Sequence, residues 1–293
     1  MIDYRSIDAL VKKAAAEGGS ISQLVLRDQA AAMEKSEDEL YAAMRRNYQV
    51  MREAVEKCAE KELRSTSGLS GGGGFRLMEA AQKNPLSGRF CAQAIARAVA
   101  CAEYNAAMGK IVAAPTAGSC GILPAALITM QEERGLDERA AVMALFTAGG
   151  IGMVIANQAS ISGAEGGCQA ECGSAAGLAA AALVEMAGGS AETAAAACGI
   201  AIANQMGLVC DPVAGLVEIP CIVRNAGGVM CALSAAEMAL AGMALPIPVD
   251  EIIDAMREVG ETLPAALRET ARGGLAATPS GAAFKNKCAA CGG

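Results

Sequence analysis

The chain has 293 residues, of which 53% are hydrophobic and 19% charged, and its Lys+Arg 24 against Asp+Glu 31 leave a net charge of -7. That length can bury a substantial core, and the composition is far from the low-hydrophobicity, high-charge signature of disorder. A negative balance gives no global attraction for nucleic-acid phosphates or anionic lipid, so neither is expected as a partner.

At the N-terminus, MIDYRSIDALVKKAAAEGG carries charges through its first turns and has neither an apolar h-region nor a cleavage site, which predicts a cytoplasmic protein. Segment 36–63 opens with Ser36-x-x-Glu39, a capping-box pattern. It continues with Leu40, Met44, Tyr48, Met51, Val55 and Cys58 at helical spacing, so an amphipathic helix is predicted. The stretch 65–74, STSGLSGGGG, is predicted to be a loop, because consecutive glycines lose backbone entropy and offer nothing to pack. From Ser87 to about Gly109 a helix is predicted, with Cys91, Ile95, Val99 and Ala102 on one face and Gln93 and Arg97 opposite.

Residues 113–124, AAPTAGSCGILP, form a second loop of small and turn-forming residues that leads into a helix. Across 125–205 alanine, glycine, methionine and leucine dominate with little alternation, which predicts closely packed helices. Mean hydropathy is positive, +0.33, but the apolar run 173–209 contains Glu185, Glu192, Asn204 and Gln205, which are costly in hydrocarbon. No membrane role is expected. The tetrapeptide Ile-Ala-Asn-Gln occurs at 155–158 and again at 202–205, too short to establish a repeat. Val249, Ile252, Ile253, Met256 and Val259 form a last amphipathic stripe. Helices without alternating strands define an all-α fold.

Twelve cysteines and no histidine shape the possible chemistry. Without an export signal the cysteines are expected to be reduced, and without histidine the chain cannot by itself supply a Ser-His-Asp triad, a Cys-His dyad or a His-ligated zinc. Cys168 in SGAEGGCQAECG, Cys210 in GLVCDPVAG and Cys221 in EIPCIVRNAGG each stand beside glycine, proline or charge. Loop-borne thiols of this kind can converge on an iron–sulfur cluster, although buried packing cysteines are the simpler alternative.

Three strings, MGKIVAAPTAGSCGILPAAL (108–127), GAEGGCQAECGSAAG (163–177) and GLVCDPVAGLVEIPCIVRNA (207–226), closely resemble the α subunit of bacterial iron–sulfur L-serine dehydratase. The likeness extends over most of 65–275. With no repeat or charged tail, a single domain is expected over 1–293, with an N-terminal helical portion over 1–64 and a C-terminal tail over 276–293, and the resemblance implies a cluster- and substrate-binding core over 65–275. In that family the cysteines matching Cys168, Cys210 and Cys221 ligate a [4Fe–4S] cluster that acts on L-serine to give pyruvate and ammonia. A histidine-containing β subunit completes the enzyme as a hetero-oligomer.

Around this set, the hydroxyls and N–H groups of Thr116, Gly118 and Ser119 are candidates to bind the substrate's carboxylate or amine, with a capped helix entry as the simpler reading. Arg224 and Asn225 lie close enough to Cys221 to tune cluster charge, an ordinary surface ion pair being the alternative for Arg224. Asp211 reads as a turn former before Pro212. Cys172 is a neighbour of Cys168, and Cys288-Ala-Ala-Cys291 has metal-site spacing without a partner pair. Cys58, Cys91, Cys101, Cys198 and Cys231 are assigned to packing. The general base is not identified from sequence. Two other chemistries fit parts of the pattern. One is a related cluster enzyme such as a cysteine desulfidase; the other is a pyridoxal-phosphate dehydratase cradling phosphate in Ser70–Gly74, with Lys110 as the Schiff-base lysine.

Overall fold

Short polar side chains set the starts of the N-terminal helices. The computed structural model describes residues 4–57 and 61–284. Ser6 accepts from the Ala9 N–H and opens α1 (Ile7–Ala16), and Ser20 with Gln23 forms a capping box that opens α2 (Ile21–Ala32). The predicted box at Ser36 is also present: the Ser36 N–H donates to Glu39 Oε2 at 2.9 Å, and the Glu39 N–H to Ser36 Oγ at 3.2 Å. It opens α3 (Glu37–Lys57), which is shorter than the helix predicted to residue 63. Cys58 lies outside the described residues.

The glycine-rich loop ends earlier than predicted, because Gly73 and Gly74 already belong to α4 (Gly73–Ala81). Two causes override their weak propensity. The Glu103 carboxylate accepts from both of their N–H groups, at 2.9 and 2.8 Å, and a Cβ on Gly74 would stand 2.7 Å from the Ala100 Cα. The close crossing of α4 over α5 (Gly88–Ala106) therefore needs glycine.

On α5 the predicted polar face is wrong. Gln93 and Arg97 are buried, whereas Cys91 is half-exposed and not a core residue. Arg97 donates to Thr129 Oγ1 at 2.8 Å and pairs with Glu132, so a neighbouring helix gives a charged side chain its partners inside the bundle.

The remaining helices are α6 (Ile122–Arg134), α7 (Glu138–Gln158), the single turn α8 (Gly163–Gly166), α9 (Ser174–Met186), α10 (Ala191–Gln205), α11 (Cys221–Leu240) and α12 (Val249–Thr262). Both Ile-Ala-Asn-Gln tetrapeptides close a helix, α7 and α10. The fold is all-α: no strand occurs among the described residues, and the one β-bridge pairs Cys210 with Arg268.

Helix α9 is the hub. It packs against α6, α7, α10 and α11, and every residue from Ser174 to Val184 is buried. Alanine at 175, 176 and 179–182 suits this position, because a methyl side chain lets surrounding backbones approach closely and loses no rotamer freedom. Among the described helices, α7 alone has the length and apolarity to cross a membrane, and more than half of it is buried within this bundle, where it packs against α2 and α9. One contiguous core runs from Tyr4 to Met256.

Candidate active site

Two of the three candidate cysteines stand at the starts of helical segments, and the third lies in a loop. Cys168 precedes a π-helical turn (Gln169–Gly173) that runs directly into α9, and Cys221 is the first residue of α11. Cys210 sits between α10 and α11, held by backbone bonds from its own N–H to Leu267 O and from the Glu269 N–H to its carbonyl, both at 2.8 Å. Their exposures are 2% for Cys168, 3% for Cys210 and 8% for Cys221.

The three thiols share one electrostatic environment. Burial, followed by the charges of Cys168 and Glu171, pushes Cys221 up to about 12, and burial with the same two neighbours pushes Cys210 higher still. Cys168 is lowered instead, first by the Cys172 thiol, whose sulfur is 3.3 Å away, and then by the Arg224 guanidinium. Cys172 is correspondingly raised, so of the pair Cys168 is the thiol that ionises more readily. Among the described residues no group of three His, Cys, Asp or Glu closes on the spacing of a single metal ion.

Arg224 is not a surface residue. It donates to Val209 O at 2.8 Å and to Asp211 Oδ1 at 2.7 Å, and both side chains of the pair are largely buried. Asp211 does more than form a turn, since its Oδ2 also accepts from the Leu275 N–H at 2.7 Å and ties the C-terminal segment to the Cys210 loop. A fixed guanidinium beside buried sulfurs stabilises negative charge there, and the N-terminal end of α11 adds its partial positive charge at Cys221. The arrangement suits a thiolate-ligated, anionic group. Cys101, Cys198 and Cys231 are buried, and the thiols of Cys101 and Cys231 donate to backbone carbonyls, in keeping with packing roles.

The APTAGSCG loop faces this set. Thr116 Oγ1 donates to Glu171 Oε1 at 2.7 Å, and Gly118 lies so close that a Cβ there would stand 3.2 Å from the same oxygen. Ser119 is fully buried, with its hydroxyl near Ala114 O and Thr116 O within its own loop. Asn225, also fully buried, locks the loop to α11: its Nδ2 donates to Gly118 O and Cys221 O, and its Oδ1 accepts from the Gly121 N–H, each at 2.8 Å.

Glu171 was missed in the sequence. Its Oε2 accepts from the Cys210 thiol at 3.9 Å, and burial raises its carboxyl above the usual range. An acidic residue three positions after a candidate ligand is a weak signal, and only the π turn reveals its direction. Ser70–Gly74 does not form a phosphate cradle. Glu103 occupies the Gly73 and Gly74 N–H groups, and Ser70 Oγ donates to Glu218, so the loop is lined by acid. Cys288 and Cys291 lie outside the described residues.

The protein is thus an all-helical bundle with buried thiols on loops around a largely buried guanidinium. Residues 16–276 match the family model described as serine dehydratase alpha chain. The chain is 47% identical to a probable L-serine dehydratase alpha chain of Bacillus subtilis, over 97% of its own length and 95% of the relative's. It is 54% identical to the L-serine dehydratase alpha chain of Peptoniphilus asaccharolyticus, over 66% of each chain. It is 38% identical to L-serine dehydratase TdcG of Escherichia coli, covering 94% of its own length and 62% of that longer protein. The chain belongs to the serine dehydratase alpha chain family.

Proposed function

We propose that this chain is the cluster-bearing catalytic component of an L-serine dehydratase, converting L-serine to pyruvate and ammonia. What supports the reading is that Arg224, three residues after Cys221, bonds Val209 and Asp211 on either side of Cys210, whose thiol reaches Glu171, three residues after Cys168, in a member of this family. These three thiolates would hold a [4Fe–4S] cluster, whose ligands are Cys sulfurs on converging loops and whose charge Arg224 and the α11 terminus offset. When bound, the cluster supplies Lewis acidity for a hydroxyl that is otherwise a poor leaving group.

The chain's own residues provide the walls. Thr116 and the Gly118 backbone take polar groups of the substrate, and Glu171 on the same wall suits its ammonium. Ser119 and Asn225 fix the loop from behind. Losing the Cα proton and the hydroxyl gives an aminoacrylate, which tautomerises to an imine and hydrolyses to pyruvate and ammonia. Proton removal needs a base, and the chain has no histidine. A second, histidine-containing chain completes the site in this reading. It is supported by the alpha-chain designation of the relatives and by the longer E. coli relative.

The test is pyruvate formation from L-serine and, separately, from L-cysteine, with the anaerobically reconstituted chain alone and with its candidate partner. A loss of general-base catalysis on the order of 10²–10⁴-fold is expected without the partner. Full turnover by the isolated chain would refute the two-chain reading. Turnover of cysteine but not serine would select a desulfidase.

A further inference from the structure

Glu218 is a buried carboxylate, 5% exposed, that none of the proposed steps employs. Its two ends do different work. Its carbonyl accepts from the Ile222 N–H at 2.9 Å and so closes the first turn of α11 around Cys221. Its carboxylate leaves that turn and takes two serine hydroxyls from the glycine-rich loop, Ser67 Oγ on Oε1 and Ser70 Oγ on Oε2, both at 2.7 Å.

The loop that supplies those hydroxyls is itself pinned. The Ser65 N–H donates to Ser70 O at 3.0 Å, the Ser70 N–H to Ser65 Oγ at 3.2 Å and the Leu69 N–H to Ser67 Oγ at 3.0 Å. The Thr66 N–H donates to Ala106 O at the end of α5, and Glu103 on the same helix holds Gly73 and Gly74. The serine pair is thus anchored to the α4–α5 body. On the other side, the Val213 N–H donates to Ile219 O at 2.8 Å, joining the turn to the Cys210 loop. Glu218 adds a side-chain link between these two sides, beside the direct packing of α11 on α5.

We propose that Glu218 is a positioning residue that clamps the Cys221-bearing turn to the serine–glycine loop and so fixes one thiolate relative to the other two. This rests on the assignment of Cys221 as a cluster ligand. The residue reaches the cluster only through Cys221, and each oxygen of the buried carboxylate makes a charge-assisted bond to a partly buried hydroxyl. Removing the carboxylate therefore leaves two hydroxyls without their acceptor and frees the turn. Outer partners that orient ligands typically govern metal retention by 10–100-fold, a scale that fits this role.

The experiment compares the parent chain with Glu218→Ala, Glu218→Gln and the double variant Ser67→Ala/Ser70→Ala after anaerobic reconstitution with ferrous iron and sulfide. Tyr48→Phe, which removes a hydroxyl bonded to Gln131 between α3 and α6, is the comparator for general destabilisation. Three readouts are taken: the rate of iron loss to a chelator, the electron paramagnetic resonance spectrum of the reduced cluster, and the thermal midpoint of the metal-free chain. Glu218→Ala and the double serine variant should lose iron roughly tenfold faster or more and show an altered spectrum, with Glu218→Gln between them and the parent. Tyr48→Phe should lower the midpoint while keeping the parent spectrum and iron-loss rate. Parent-like iron loss and spectrum in the folded Glu218→Gln and double serine variants would overturn the role, even if Glu218→Ala fails to fold. A parent chain that takes up no iron would instead overturn the cluster assignment, and this role with it.

Discussion

At the scale of single residues, the site depends on where charge is allowed inside the protein. Glu171 is buried between Thr116 and Cys210 and forms no salt bridge among the described residues, a place that suits the ammonium of an amino-acid substrate. Glu171→Gln keeps the shape and removes the charge. A charged hydrogen bond contributes about 1.5–3 kcal/mol, so KM for L-serine should rise roughly 10–100-fold while iron content stays at the parent level. An unchanged KM would remove Glu171 from the substrate wall. Cys198 illustrates the opposite situation, a thiol whose burial pushes it from 9.0 up to about 12. Because its folded value lies above its unfolded value, its contribution to stability is complete below about pH 9 and is lost as pH rises towards 12. The maximum slope is about 1.4 kcal/mol per pH unit. In urea titrations of the metal-free chain, Cys198→Ala should weaken less steeply than the parent between pH 9 and 11; parallel curves would contradict this. The residue types at the site were readable from the sequence, but their partners were not. Cys168, Cys210 and Cys221 stood out because glycine, proline and charge surround them, whereas Asn225 and Glu171 show their roles only once α11 and the π turn aim them at loops 55 to 107 positions away.

At the scale of elements, the patterns that proved readable were local ones. The Ser36–Glu39 box and the stripe of α12 come from contacts within one turn or one helix face. Contacts between elements decided the rest. Helix α4 begins inside a run of glycines because Glu103, thirty residues away, caps it, and α5 buries Gln93 and Arg97 because α6 offers Thr129 and Glu132 as partners for the arginine. No local periodicity contains that information. The α4–α5 crossing gives a direct check: Gly74→Ala places a methyl 2.7 Å from the Ala100 Cα and 2.9 Å from its Cβ. Backbone cannot rotate away, so the helices must separate. Overpacking of this kind costs about 1–3 kcal/mol, more than the modest gain in helix propensity returns. Thermal unfolding should show a lowered midpoint; a raised one would mean that the crossing is looser than its geometry.

At the scale of the whole molecule, an alanine-rich bundle provides a rigid support for the three loops that carry Cys168, Cys210 and Cys221. Helices α6, α9 and α11 pack on one another and start at the site, so the core fixes the loops from below. Asp211 joins the C-terminal segment to the same structure through Leu275. The all-α class followed from composition and periodicity, whereas the common meeting point of the loops is a tertiary property that the linear order conceals. The central claim is that Cys168, Cys210 and Cys221 together carry an iron–sulfur cluster. The most direct measurement is iron and acid-labile sulfide per chain after anaerobic reconstitution of the parent, Cys168→Ala, Cys210→Ala, Cys221→Ala and, as a packing comparator, Cys231→Ala. The account predicts about four of each per chain for the parent and Cys231→Ala, and a large loss in the other three. Full iron and sulfide content after Cys210→Ala would contradict it.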